Sequence, residues 1–422
     1  MDAGTGVETV SDVRDLSLAD QGKRRMEWTF QQMPVLQAIR KQLIKEQPLA
    51  GIRVSVCLQI SPSTANLVMA MRDGGAEVAL TSDDTATVED DIAAALVRDY
   101  GIRVCAIRDS SAQTVNAQWQ AVLDNRPNLV MDSAGDFTAM LIDSRKELLA
   151  ELKGVATEHT SATIRALARQ GQLQFPIVVS HDANTRRLFD NRYGTGQSVL
   201  DAIIRTANLL INGLAVVVAG YGWCGRGIAT KARSMGANVI VTESDPLKAL
   251  EAVMDGNRVM SMADAAAVGD LFITATGNKN VITRDHFERL KQGAILVNAG
   301  HSNVEIDLEM LTRMASTHRQ TREFVEEYSM RDGRKLFLLG AGRVINSAAG
   351  HPVAVADMIV AGQVLCMIHL AKTQGQLENK IYPVPDEIDF HSARLKLDTM
   401  GVKTDKLTLD QEAYLGGASD AL

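Results

Sequence analysis

The sequence predicts an α/β protein of two open, doubly wound parallel sheets, each covered by crossover helices, with a small helical segment at the end. Three observations predict it. Short apolar runs alternate with stretches of helical spacing almost throughout the 422 residues. A second series of the same kind starts near residue 190. From about 350 onward the pattern turns helical. The length suits two or three domains of ordinary size.

The elements follow in order. Residues 20–50 carry apolar side chains at helical spacing, and GIRVSVCLQI (51–60) reads as a buried strand. A helix at about 64–73, a strand at 76–82, a helix at 90–101 ended by Gly101, and a strand at 102–107 come next. NLVMDSAG (128–135) is a strand running into a turn of small residues. The second series opens with a helix over 199–211, which Asn212-Gly213 punctuates. A strand–turn–helix–strand fills 214–246, and further strands read at 271–277, 294–300 and 335–340. The expected units are 1–190, completed by about 350–385, then 191–349, then a C-terminal helical segment over 386–422.

Composition excludes several functions. The net charge is −7 with no long basic run, so binding of nucleic acid through phosphate neutralisation is not expected. No run of about 18 apolar residues is evident, so no membrane partner is expected. The first twenty residues are polar and acidic, unlike a signal peptide. The four cysteines are far apart and the histidines show no H-E-x-x-H, so no metal site and no disulfide framework is expected. A reducing cytoplasm is the expected location. The acidic run SDDTATVEDD (82–91) reads as a solvated helix start.

One loop carries chemistry. Gly220-Tyr221-Gly222-Trp223-Cys224-Gly225 fits G-x-G-x-x-G, after the apolar run 214–219 and before a helix from about Arg226. The first glycine permits a tight turn, the second lets backbone approach a pyrophosphate, and the third allows close helix–strand packing. The helix N-terminus faces the anion. Glu243 ends the next strand, where a carboxylate accepts from both ribose hydroxyls of NAD and repels a 2′-phosphate. A plain glycine turn beside a surface Glu is the competing reading. The second unit is therefore expected to be a Rossmann-like NAD domain, and the first a Rossmann-like substrate domain. Cys224 reads as a small packing residue, not a nucleophile.

FDNRYGTGQS (189–198), GYGWCGRG (220–227), TATGNKNVI (274–282), NAGHSNVEID (298–307) and YPVPDEID (382–389) stand together in this chain. With them the sequence resembles the S-adenosylhomocysteine hydrolase family over nearly its whole length, most of all the shorter archaeal and bacterial form. The resemblance implies NAD as cofactor, an adenine nucleoside as substrate and a homo-oligomer, a tetramer in the family. It also implies a reaction: oxidation of the 3′-hydroxyl, removal of the C4′ proton made acidic by the new ketone, elimination of the 5′ substituent, addition of water and return of the hydride.

Carried over position by position, the resemblance implies these sites. Asp190 and Asn191 lie at the sugar and nicotinamide, His301 at the sugar and cofactor, and Asp132 near the 5′ end. Thr160 and Ser161 sit at the cofactor–sugar boundary, and Asn346 and His351 in the segment over the nicotinamide and base. Thr276 and Asn278 in TATGN, and Asn298 and Gly300 in NAGH, line the cofactor. Other positions depart. Gln59 replaces a catalytic histidine, and Ser61 and Ser63 replace a base-binding Thr and Glu. His159 replaces a sugar-binding Glu, His181 an Asn, and Arg186 a Lys.

Arginine stays protonated, with a pKa above ~12, so proton transfer is expected to pass from Arg186 to His159 and His181. These departures favour a paralogue of the angustmycin-type nucleoside dehydratases, which lose water and stop at the 4′,5′-ene. Water is a far worse leaving group than a thiol, pKa ~15.7 against ~8.5, so a better proton donor is needed, and an imidazolium is the expected one. The alternatives are a genuine S-adenosylhomocysteine hydrolase, yielding adenosine and homocysteine, and a silent NAD-binding paralogue.

Overall fold

The computed structural model describes residues 11–159, 162–300, 302–345 and 350–415. It is an α/β protein with two sheets. The first holds seven parallel strands: β1 Arg53–Cys57, β2 Glu77–Thr81, β3 Arg103–Val104, β4 Leu129–Asp132, β5 Gly154–Thr157, β6 Ile177–Val179 and, from far along the chain, β15 Ile381–Pro383. Their order is β15-β6-β5-β4-β1-β2-β3. The second holds β7 Ala215–Ala219, β8 Asn238–Thr242, β9 Arg258–Val259, β10 Leu271–Thr274, β11 Ile295–Asn298, β12 Ala315–Arg322, β13 Val325–Met330 and β14 Lys335–Leu339. Their order is β12-β13-β14-β11-β10-β7-β8-β9, and only the β12–β13 and β13–β14 pairs are antiparallel.

Both sheets are Rossmann-like and doubly wound. Strands such as Val54–Cys57 and Val216–Val218 are buried on both faces, which is why they read as largely apolar runs. The order reverses between β1 and β4 in the first sheet, and between β7 and β10 in the second. Ligands of such sheets bind outside the carboxyl ends of the strands at these reversals.

Some elements differ from the sequence reading. The helical stretch over 20–50 is two helices, Ala19–Gln31 and Pro34–Glu46, because Pro34 lacks an N–H and can only start a helix. Strands β5, β6, β9 and β15, each two to four residues long, were not foreseen. The β12–β13 hairpin was not foreseen either, since β12 is polar and exposed along almost its whole length. Helix Val353–Lys372 is long and apolar enough by composition to cross a membrane, which the sequence reading passed over. Here Ala361, Val364, Cys366 and Met367 lie fully buried in the core of the first sheet.

One helical stretch joins the two units. It begins as a short α-helix, Asn184–Arg186, widens to a π-helix over Arg187–Gly194, and continues as the α-helix Thr195–Ala207. Glycines let it lie against the helix Trp223–Ser234. A Cβ on Gly227 would stand 1.9 Å from the Arg192 carbonyl oxygen, and one on Gly196 would stand 2.7 Å from the Gly227 backbone. π-helical turns concentrate at functional sites, and this one carries Asp190 and Asn191.

Candidate active site

The carboxyl edge of the first sheet gathers most of the expected substrate residues. Asp132 ends β4 at the reversal and is buried. Its Oδ2 accepts from the Thr138 N–H and hydroxyl, both at 2.7 Å. Its Oδ1 has no hydrogen-bond partner among the described residues. Burial pushes this carboxyl up to about 6, against the pull of the Thr138 hydrogen bonds, and Asp83 nearby adds to the rise.

Glu158 follows β5 and anchors a charged network. Its Oε2 accepts from Arg186 at 2.9 Å and its Oε1 from Gln363 at 2.6 Å. Burial opposes its charge, yet the Arg186 guanidinium holds the carboxyl below the usual range. Arg186 lies 3.4 Å from Asp190 through its Nε, while its Nη1 has no hydrogen-bond partner among the described residues. Asp190 is buried, with Oδ1 3.6 Å from His351 Nδ1. Asn191 is the next residue of the π-helix and is half-buried.

His159 and His181 stand side by side, ring centroids 4.4 Å apart. Burial, then the Arg186 and His159 charges, push His181 down to about 3. It is therefore a neutral imidazole at physiological pH. This shift favours a proton-accepting ring over the expected imidazolium donor.

After β1, Gln59 is exposed. Ser61 caps the helix Pro62–Asp73, accepting from the Thr64 N–H at 3.3 Å, and Ser63 lies in that helix's first turn. The Ser61 hydroxyl is thus engaged by its own helix. Thr160, Ser161, His301 and Asn346 lie outside the described residues.

The second reversal holds the glycine loop. Gly220 has φ +93°, and a Cβ there would press on the Ala275 carbonyl oxygen at 2.8 Å. A Cβ on Gly225 would meet the Gly220 carbonyl oxygen at 1.9 Å. Gly222 caps the helix that Trp223 begins, and a Cβ on it would meet nothing within 4 Å among the described residues. That open side above a helix N-terminus fits a pyrophosphate.

Glu243 lies just after β8. It accepts from the Tyr221 N–H at 2.7 Å through Oε2, and from Ser244 and Asp245 N–H at 2.7 and 3.0 Å through Oε1. Burial works against its charge, but these donors hold it below the usual range. It stays anionic and braces the loop. Cys224 is pushed up to about 11 by burial, so it remains a thiol.

Across the reversal, Thr276 and Gly277 are tied to the buried Glu305. The Thr276 hydroxyl donates at 2.7 Å and the two N–H groups at 3.0 and 2.9 Å. Asn278 follows, exposed, its N–H on the Thr276 hydroxyl. Gly300 makes room for Glu305, whose Oε1 would sit 1.9 Å from a Cβ there. Asn298 departs from expectation. Its Oδ1 accepts from Thr274 and Gly300, and its Nδ2 donates to Ser302 and Gly342. With all four positions used inside the protein, its side chain shapes the loop and has nothing left for a cofactor.

Four residues here were missed. Gln363 and Glu305 have no local sequence signal, since their partners lie 205 and 28–29 residues away. Asp389, from the last long helix, binds the start of the Asn184–Arg186 turn. Asp83 was read as part of a solvated acidic run. Instead burial pushes its carboxyl up, with Ser133 bonded to it and Glu158 close by.

A family model described as S-adenosyl-L-homocysteine hydrolase, NAD binding domain, matches residues 191–351, and the S-adenosyl-L-homocysteine hydrolase model matches 11–148. The chain is 49% identical to the adenosylhomocysteinase of Gloeothece citriformis, over 96% of this chain and 95% of that one. It belongs to the S-adenosyl-L-homocysteine hydrolase family. The adenosylhomocysteinase of Aquifex aeolicus is also 49% identical, over 96% of this chain and 98% of its own. That of Archaeoglobus fulgidus is 47% identical over 94% and 98%.

As a member of the S-adenosyl-L-homocysteine hydrolase family, the chain is an NAD-dependent enzyme, and the residues at the second reversal fit that cofactor. Gly220, Gly222, Gly225 and Glu243 would hold it. Replacing Glu243 by Ala should lower NAD retention by about 10–10²-fold, the worth of one hydrogen bond to a charged group. NAD content after gel filtration measures it. Recovery of stoichiometric NADP from the native protein would refute the role given to this carboxylate.

Proposed function

We propose that the chain takes an adenine nucleoside through oxidation at C3′, loss of the C4′ proton and departure of the 5′ substituent. The substrate unit in this reading is 1–190 with about 350–385, and the NAD unit 191–349. The Glu158–Arg186–Asp190 network carries the proposal: a buried, permanently charged donor held between two carboxylates, with Nε and Nη1 making no hydrogen bond among the described residues. NAD, when bound, supplies a reversible hydride acceptor for a secondary alcohol.

Arg186 polarises the 3′-oxygen but keeps its own protons. Asp190, whose Oδ1 has no hydrogen-bond partner among the described residues, orients the sugar hydroxyls. His181, held neutral, accepts or passes a hydrogen bond. Asp132 is the group at the 5′ side able to carry a proton near neutral pH. Thr160, Ser161, His301 and Asn346 belong to the same proposal by resemblance alone.

On the leaving group, the relatives' names support homocysteine more broadly, which makes hydrolysis of S-adenosylhomocysteine the reading with the wider support. Loss of water, giving a 4′,5′-ene nucleoside, is the second reading. The altered cleft favours it, with Gln59, Ser63, His159, His181 and Arg186 together, and an Asp132 carboxyl pushed up to about 6, so that a fraction of it carries a proton near neutral pH. A homo-oligomer, tetrameric by resemblance, completes the proposal. The exposed Leu407, Leu409, Tyr414 and Leu415 support it.

One incubation separates the two leaving groups. S-adenosylhomocysteine and a 5′-hydroxylated adenine nucleoside are offered separately and the products weighed by mass spectrometry. Homocysteine release at about 1 per second or faster supports the hydrolase. Mass loss of one water from the second compound, with S-adenosylhomocysteine untouched, supports the dehydratase. In either case His159→Ala and His181→Ala should slow turnover without changing NAD content. A loss near the 10²–10⁴-fold scale of a general acid or base would restore His181 as a proton carrier. A loss of about tenfold fits a neutral hydrogen-bonding ring.

A further inference from the structure

We infer that Asp389 is a positioning residue for the active site: its carboxylate caps the helical stretch that carries Arg186 and Asp190, and so sets where both groups stand. The inference rests on the reading of Arg186 and Asp190 as site groups, and adds a control element on the last long helix.

The geometry is specific. Asp389 lies on the helix Asp386–Thr399 and is buried. Its Oδ2 accepts from the Asn184 N–H at 2.7 Å and its Oδ1 from the Thr185 N–H at 3.0 Å and from the Thr185 hydroxyl. These are first-turn N–H groups, which a helix cannot satisfy for itself. No local side chain caps this turn. A carboxylate from about two hundred residues downstream does so instead.

The same helix grips the stretch a second time. Lys396, two turns beyond Asp389, places its Nζ 5.7 Å from the centre of the Phe189 ring, next to Asp190. Lys396 also stands 3.7 Å from Asp357, whose carboxylate accepts from the Val35 and Leu36 N–H groups at the start of Pro34–Glu46.

The stretch needs such a grip. Directly after Arg186 it passes from α to π winding, so a continuous α-helix does not set the register at this point. A cavity of about 20 Å³, near the size of one water, lies behind Arg186 between Met358, Gly362, Asp389 and Ser392. The packing beside Arg186 is thus incomplete on this side, and Asp389 fixes the residues immediately before it. The carboxylate does not itself reach the cleft face of Arg186, so its effect passes through the helix.

The test uses the NAD-loaded holoenzyme with Asp389→Ala, Asp389→Asn and, in parallel, Asp190→Ala. Adenosine is the probe, because it carries the 3′-hydroxyl, and the near-ultraviolet absorbance of reduced nicotinamide is the readout. Asp389→Ala should lower kcat for this step by about 10–10²-fold, the cost of misplacing reacting groups by roughly an ångström, with KM and NAD content little changed. Asp389→Asn keeps one acceptor oxygen and should recover part of the rate. Crystal structures of both variants should show Arg186 drawn away from Glu158 in Asp389→Ala and closer to its place in Asp389→Asn.

A wild-type rate in Asp389→Ala with Arg186 still on Glu158, while Asp190→Ala is inactive, overturns this inference and leaves the functional reading standing. A wild-type rate in Asp190→Ala overturns the functional reading instead. If Asp389→Ala loses NAD or its fold, Asp389→Asn decides. Lowered kcat with retained NAD supports positioning, and an unchanged kcat overturns it.

Discussion

Replacing Asp190 by alanine is expected to lower the rate at which a nucleoside reduces the bound nicotinamide by about 10²–10⁴-fold, the scale of a correctly placed polar group at a reacting centre. Asp190 stands between two donors, with Arg186 Nε 3.4 Å from one oxygen and His351 Nδ1 3.6 Å from the other. Its Oδ1 is buried with no hydrogen-bond partner among the described residues, a costly arrangement unless a ligand hydroxyl completes it. Removing the carboxylate leaves Arg186 paired with Glu158, so the buried cation keeps one counter-charge and the fold should hold. NAD content should also hold, because the glycine loop and Glu243 lie on the other sheet. Stopped-flow absorbance with adenosine measures the step. A variant that reduces its nicotinamide at the normal rate would remove Asp190 from the chemistry.

The sequence made the two wound units legible because buried parallel strands such as VVV are apolar on both faces, with VSVC nearly so, and need no partner to be seen. The glycine loop was legible for a similar reason: Gly220 and Gly225 answer to contacts within a few residues or with the adjoining strand. What stayed hidden depends on distant chain segments. Gln363 reaches Glu158, and Asp389 reaches Asn184, from about two hundred residues away. Local spacing carries no trace of either. Charge state was hidden too. Asp83 looked like one of several solvated acids, yet β2 ends so that it turns inward toward Ser133. His181 looked like a group ready to titrate, yet burial beside Arg186 keeps it neutral. Asn298 sits in a motif that suggests cofactor contact, but Ser302 and Gly342 take both of its donors.

Asp132→Asn should make the protein more stable at neutral pH while lowering turnover by about 10²–10⁴-fold. The two effects share one cause. Burial raises the carboxyl to about 6 from an ordinary value of 3.8. The folded state therefore binds this proton more tightly than the unfolded state does. Between those two values the unfolded chain loses the proton first, so stability falls as pH rises, and above about 6 the full penalty remains. A rise of roughly two units corresponds to about 3 kcal/mol, an upper bound for what asparagine relieves. The amide can keep both Thr138 hydrogen bonds through its oxygen. Denaturant unfolding of both proteins should show the gain in full at pH 8 and about half of it at pH 5. The rate follows the same proton. If Asp132 gives it to the leaving group, wild-type turnover should fall as pH rises through about 6; if Asp132 takes a proton instead, turnover should rise over that interval. A variant that is less stable than wild type at pH 8, or that turns over normally, would mean that this carboxyl is neither strained nor used.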